Sequence, residues 1–186
     1  MSAGTETVRS VVYTQEQIAT RVTEMGLEIT RHYEGRDDLL VLGLLKGSFI
    51  FLADLVREIH IPFHVDFLIA SSYGAGRASS GEVEFLYDPG VRIRDRHVIL
   101  VEDIVEAGAT VGLVVPLLEA RGPESLELCV LLHKRRVRLE KEPRWVGFDA
   151  PGEFLVGYGL DHAESFRHLP YIGSLEGDPE LAPRSE

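Results

Sequence analysis

An α/β fold, a mainly parallel twisted sheet flanked by helices, is what the sequence predicts, and three observations carry the prediction. Three apolar runs, Leu39–Leu45, residues 98–101 and residues 126–132, read as buried strands, and the V-I-L-V of the second suits a strand covered on both faces of a parallel sheet. The first two runs each pass through a short loop into apolar residues at helical spacing, which makes strand, loop, helix units. No internal repeat, low-complexity segment or linker divides the 186 residues, so residues 1–186 are expected to form a single domain with flexible ends over about 1–10 and 175–186.

Taken in order, Thr14 opens T-Q-E-Q, a capping-box pattern, and Ile18, Val22, Met25 and Ile29 follow at helical spacing, predicting an amphipathic helix to about Tyr33. Leu39–Leu45 is the first buried strand. After K-G-S, the positions of Phe49, Ile50, Leu52, Ala53 and Val56 fit a helix. Val65, Phe67 and Ile69 alternate within a predicted strand at 63–70. The next eleven residues, S-S-Y-G-A-G-R-A-S-S-G at 71–81, have little to bury and are expected to be a mobile loop. Residues 82–87 then form the second arm of a hairpin, and D-P-G at 88–90 turns the chain toward the strand at 98–101.

Thr110 opens a helix carrying Val111, Val114, Val115, Leu117 and Leu118. Pro116 inside it predicts a kink or short turns, and R-G-P at 121–123 ends it. The strand at 126–132 includes Cys129 and leads into a basic loop at 133–138. Short strands are expected around D-A-P-G within 144–159.

The composition narrows the function classes. Nineteen basic against 30 acidic residues give a net charge of −11, which opposes nonspecific binding to nucleic acid or to an anionic membrane surface. A phosphate bound here must be held locally. The run at Leu39–Leu45 stops at Lys46, far short of the ~20 residues a bilayer span needs. The first ten residues lack an apolar signal core. The single cysteine, Cys129, sits in a core-like run and excludes an internal disulfide framework, which fits a reducing cytoplasm. His60, His64, His133, His162 and His168 show no spacing that suggests a zinc site.

The chemistry gathers at residues 97–110, H-V-I-L-V-E-D-I-V-E-A-G-A-T. Glu102 and Asp103 stand where the strand is expected to end, followed by Glu106 and the small residues Ala107, Gly108 and Ala109. In open α/β sheets ligands collect beyond the carboxyl ends of the strands, and a helix N-terminus presents unpaired amides to an anion. Small side chains let a phosphate approach the backbone. Carboxylates beside it can hold ribose hydroxyls or magnesium. The stretch therefore reads as a sugar-phosphate site.

Four stretches in this order, L-L-K-G-S-F at 44–49, S-S-Y-G at 71–74, V-E-D-I-V-E-A-G-A-T at 101–110 and F-L-V-G-Y-G-L-D at 154–161 with Arg167, resemble the type I phosphoribosyltransferases, most closely the hypoxanthine-guanine branch of purine salvage. The resemblance runs from about residue 11 to residue 173. It implies the fold of that family, with a small hood and a mobile hairpin loop, and a magnesium-dependent reaction of a purine base with 5-phosphoribosyl-1-diphosphate. It further implies that Glu102 and Asp103 hold the ribose hydroxyls, directly or through Mg2+, and that residues 106–110 (Glu106, Ala107, Gly108, Ala109, Thr110) cradle the 5′-phosphate. Lys46, Gly47 and Arg167 would face the diphosphate, with a cis peptide common before the lysine. Asp161, in the base-binding region, would bind the magnesium that bridges to the leaving group. Lys134 would read the purine 6-oxo group, Phe154 would stack on the base, and the Leu155 backbone would meet its far edge. Ser72 and Tyr73 would ride on the mobile loop. A homodimer or homotetramer is implied as well.

Two positions depart from the family pattern. Glu106 stands where aspartate is usual as the acceptor of the N7 proton, and Ala107 where threonine or serine is usual. The added methylene lengthens the carboxylate arm by about 1.5 Å, in a setting where displacements of ~1 Å can cost two orders of magnitude in rate. Two further readings follow: a nucleotide-binding regulator with weakened catalysis, and a related transferase that uses xanthine.

Overall fold

The computed structural model describes residues 7–72, 83–134 and 138–175. Its element order is β1 (Val8–Tyr13), α1 (Gln15–Tyr33), β2 (Leu39–Leu45), α2 (Phe49–Leu55) with a 3-10 turn at Val56–Glu58, β3 (Phe63–Ser72), β4 (Val83–Tyr87), β5 (His97–Val105), α3 (Ala109–Glu119), β6 (Ser125–His133), β7 (Trp145–Asp149), β8 (Leu155–Val156) and β9 (Ile172–Leu175).

A six-stranded sheet in the order β4-β3-β2-β5-β6-β7 forms the body. Its strands are parallel except β4, which returns antiparallel along the β3 edge as the second arm of the expected hairpin. Alternation along each central strand divides the core between two faces. Leu39, Val41, Ile99, Val101, Cys129 and Leu131 pack with α1 and α2, while Leu40, Leu42, Leu44, Val98, Leu100, Leu128 and Val130 pack with α3. Both faces are covered, which accounts for the unbroken apolar runs.

The helices follow local rules. Thr14 Oγ1 accepts from the Gln17 amide at 3.2 Å and Gln17 Oε1 accepts from the Thr14 amide at 2.9 Å, completing the capping box of α1. Ile18, Val22, Met25, Ile29 and Tyr33 are buried along one face. In α3, Val111, Val114, Val115 and Leu118 make the corresponding stripe, each contributing on the order of 1.5–3 kcal/mol by burial. Pro116 lies within the assigned helix and does not divide it. Pro116 and Gly112, whose carbonyl it leaves without its usual donor, both face solvent, so water can satisfy that carbonyl.

Three expectations are corrected. β5 continues through Glu102 and Asp103 to Val105, because pairing with β6 persists through Glu102↔Val130, Ile104↔Leu132 and Val105↔His133. The acid pair is thus inside the strand and not at its end. Residues 8–10 and Leu175, assigned to flexible ends, are strand residues: β1 pairs β9 and β9 pairs β8 in a three-stranded sheet. Ser10 Oγ and Ser174 Oγ lie 2.9 Å apart within it. His133, placed in the basic loop, ends β6 through its pairing with Asp149. Among the described residues no helix is long and apolar enough to cross a membrane.

Candidate active site

The carboxyl ends of β2, β5 and β6 open toward the same edge of the sheet, where a cleft of about 320 Å³ is lined by residues 102–111. The chain leaves β5, exposes Glu106 and Ala107, and enters α3 through Gly108 at φ +70°, which is the N-cap. Among the described residues no side chain caps this helix. Its first-turn amides and the positive end of its dipole therefore face the cleft, beside the exposed Ala109 and Thr110. Residues 106–110, expected to cradle a phosphate, all line this cleft.

Glu102 and Asp103 are packed together at the floor. Burial, then the neighbouring Asp103 charge, pushes the Glu102 carboxyl well above the ordinary carboxylate range. Burial also raises the Asp103 carboxyl, against stabilising contacts that include the Ile104 amide at 2.8 Å and the charge of Arg167. Two carboxyls so placed cannot both ionise cheaply without a cation or hydroxyl donors. Glu102 Oε2 is buried with no partner, so the pair has an unused acceptor, as a cation or hydroxyl site requires.

Asp161, expected to bind the magnesium that bridges to the leaving group, does not join Glu102 and Asp103 in a single three-carboxylate cluster among the described residues. Its Oδ1 accepts from Arg167 at 2.8 Å and its Oδ2 from the Glu164 amide at 2.8 Å. Among the described residues no three acidic, histidine or cysteine groups converge on a common point. Magnesium commonly takes one or two carboxylates and fills its octahedron with water and substrate oxygens, so the acid pair fits that ion without a third protein ligand.

A loop after β2 builds the cationic side. The Leu45–Lys46 peptide is cis. Ser48 Oγ donates to the Leu44 carbonyl at 2.6 Å and the Phe49 amide to the Lys46 carbonyl at 3.2 Å, folding the loop back on the strand. Gly47 has no room for a side chain, since a Cβ there would stand 1.6 Å from Asp103 Oδ2. Gly159, at φ +102°, presses on it from the hood: a Cβ would lie 2.1 Å from the Gly47 carbonyl oxygen. Arg167 Nη1 donates to the Gly159 carbonyl at 2.8 Å, and its Nε is buried without a partner. Lys46 and Arg167 are joined by Glu164, whose carboxylate lies 2.9 Å from Lys46 Nζ and 3.2 Å from Arg167 Nη2. Lys46 and then Arg167 hold the Glu164 carboxyl below its usual range.

On the other flank, Lys134 follows β6 with its amide bonded to the Val105 carbonyl at 2.9 Å, and its ammonium pairs with Glu106. Phe154 is half-buried and meets His162 edge to face, with ring centroids 5.2 Å apart. Leu155 is buried in β8, opposite Ser174. Ser72 ends β3. Tyr73 and most of the predicted loop at 71–81 lie outside the described residues.

The structure thus links Lys46 and Gly47 to Asp103 and Arg167, and Lys134 to Glu106. It adds two residues that sequence reasoning did not single out, Gly159 and Glu164. A signal for the first was present in V-G-Y-G, two glycines within an otherwise buried run; Glu164 carried none beyond its spacing from Asp161 and Arg167.

A family model described as a phosphoribosyl transferase domain matches residues 9–163. The chain is similar to the hypoxanthine-guanine phosphoribosyltransferase of Dictyostelium discoideum, at 42% identity over 172 residues, covering 90% of this chain and 96% of that protein. It is 43% identical over 167 residues to the hypoxanthine phosphoribosyltransferase of Escherichia coli K12, covering 89% and 94%. A solved structure of a hypoxanthine phosphoribosyltransferase from Staphylococcus aureus matches with a TM-score of 0.85 at 40% identity, over 96% of this chain and 95% of that one.

Proposed function

The chain belongs to the phosphoribosyltransferase family, and on that premise we propose that it joins hypoxanthine or guanine to 5-phosphoribosyl-1-diphosphate, giving IMP or GMP and diphosphate. The observation that carries the base assignment is the Lys134–Glu106 pair beside the phosphate cradle. An oxopurine carries an acceptor, O6, and an acidic N7–H along one edge. Lysine donates to the first and a carboxylate accepts from the second. Adenine offers an amine where Lys134 has only protons to give, so it is disfavoured.

The reaction forms the bond from base N9 to ribose C1′ and breaks the C1′–O bond, with the electron pair leaving on diphosphate. Lys46 and Arg167 neutralise the charge gathering on the leaving group, while Glu106 takes the N7 proton as positive charge on the base is relieved. The α3 N-terminus holds the 5′-phosphate, and Glu102 and Asp103 accept from the ribose hydroxyls. Glu102 and Asp103 would also be the residues to hold a magnesium ion, which would supply further charge neutralisation. Phe154 covers the base face. Asp161 acts through Arg167, which it orients at 2.8 Å.

Assembly as a homodimer or homotetramer is part of this reading. Support comes from exposed Phe49 beside the Lys46 loop and exposed Val65 and Phe67 on β3. Action in the cytoplasm is part of it too.

Ultraviolet absorbance with 5-phosphoribosyl-1-diphosphate, magnesium and hypoxanthine, guanine, xanthine or adenine in turn tests the assignment. Nucleotide formed from hypoxanthine or guanine supports it. Faster turnover of xanthine moves the assignment to that base, and no turnover alongside tight GMP binding moves it to a nucleotide-binding regulator.

A further inference from the structure

Glu164 has no part in the scheme above, yet its carboxylate fills the space between the two cations assigned to the leaving group. It lies 2.9 Å from Lys46 Nζ and 3.2 Å from Arg167 Nη2, although Lys46 is 118 residues away in sequence. Its backbone is built into this position at a cost. His162 and Ser165 close a two-residue turn, exchanging amide-to-carbonyl bonds of 3.2 and 2.9 Å. The two central residues, Ala163 at φ +49° and Glu164 at φ +63°, both have the left-handed sign that such turns ordinarily give to glycine or asparagine. Neither residue is glycine or asparagine, so both side chains are held in a backbone region that they rarely adopt. The turn is tied to the clamp by a shared anchor: Asp161 accepts the Glu164 amide with one oxygen and the Arg167 guanidinium with the other, both at 2.8 Å. A strained tip fastened to the very arginine it neutralises is not an incidental surface contact.

We propose that Glu164 is a resident anion of the clamp, its carboxylate occupying the Lys46–Arg167 site until the diphosphate group displaces it. The inference rests on the reading that Lys46 and Arg167 receive the diphosphate. Binding is then an exchange of one anion for another. A multiply charged diphosphate displaces the single carboxylate, whereas a weaker anion does not, and the returning carboxylate helps the product diphosphate to leave. Lys46 and Glu164 are both mostly exposed, so the exchange costs little and is sensitive to salt.

Calorimetric titration of inorganic diphosphate into wild type, Glu164→Gln and Arg167→Gln at low salt tests the inference, with GMP as a second ligand that does not fill the diphosphate clamp. Glu164→Gln is expected to bind diphosphate about threefold to tenfold more tightly with GMP affinity unchanged, and the gain should shrink as salt screens the pair. Arg167→Gln is expected to bind diphosphate roughly tenfold or more weakly. An Arg167→Gln variant that binds like wild type overturns the clamp reading itself. If Arg167→Gln weakens binding while Glu164→Gln leaves it unchanged or weakens it, the clamp stands and the resident-anion role is overturned. Loss of GMP binding in Glu164→Gln overturns it too, because Glu164 would then be holding the loop in shape.

Discussion

Gly47 touches Asp103 so closely that a single added carbon on the glycine would stand 1.6 Å from the carboxylate oxygen. The loop bearing Lys46 and the acid pair on β5 are therefore positioned by the same contact. Gly47→Ala should lower stability by about 1–3 kcal/mol through overpacking and reduce kcat/KM for the phosphoribosyl donor by tenfold or more. Adding Asp103→Ala should recover the stability without the activity, since the clash is removed along with the carboxylate. Urea unfolding midpoints and steady-state kinetics on the two single variants and the double variant measure both effects.

Glu106 pairs with Lys134, which puts the proposed proton acceptor and the proposed oxo-group donor in contact. Glu106→Gln should lower kcat by about two to four orders of magnitude, the usual worth of a positioned base. Glu106→Asp keeps the carboxylate and should retain more turnover than the glutamine variant. Undiminished turnover in Glu106→Gln removes the base role.

Tyr158, buried in the hood, donates its hydroxyl to Asp54 Oδ2 on α2 at 2.7 Å. Tyr158→Phe should cost about 1–2 kcal/mol, because Asp54 is partly exposed and water can take over. Burial, then the bond to Asp54 and its charge, raises the phenol above its ordinary value of 10.0. The wild-type advantage is therefore complete below pH 10.0. It declines at higher pH, where the unfolded tyrosine ionises and the folded one resists ionisation. Chemical denaturation of both proteins at pH values either side of 10.0 shows whether the gap narrows in that direction.

Cys129 lies fully buried in the middle of β6, and burial raises its thiol far above the ordinary range. A thiol reagent at pH 8 should leave the native protein unlabelled and should modify one group per chain as the protein unfolds. Rapid labelling under native conditions contradicts the buried placement.

Much of the body was legible in local pattern. The capping box at Thr14 and the apolar stripe from Ile18 to Tyr33 specify α1 through contacts within a few residues, and Leu39–Leu45 was read with the bounds it has. The reading failed where pairing over distance decides. Glu102 and Asp103 look like a strand end because they are charged, yet β6 continues alongside them and keeps them in the sheet. β1 and β9 have little pattern of their own. They exist through mutual pairing, as the Ser10–Ser174 contact across 164 residues shows.

The sequence by itself determined the α/β class, the central strands and helices, and the small-residue stretch that lines the cleft after β5, because periodicity, capping and small-residue loops act over short separations. Tertiary structure alone decided that Gly159 closes on Gly47 and that Glu164, three residues from Arg167, reaches Lys46 across the site. Those relationships join the hood to the loop after β2. Their energy comes from burial and ion pairing between segments more than 100 residues apart, a separation that no spacing along the chain encodes.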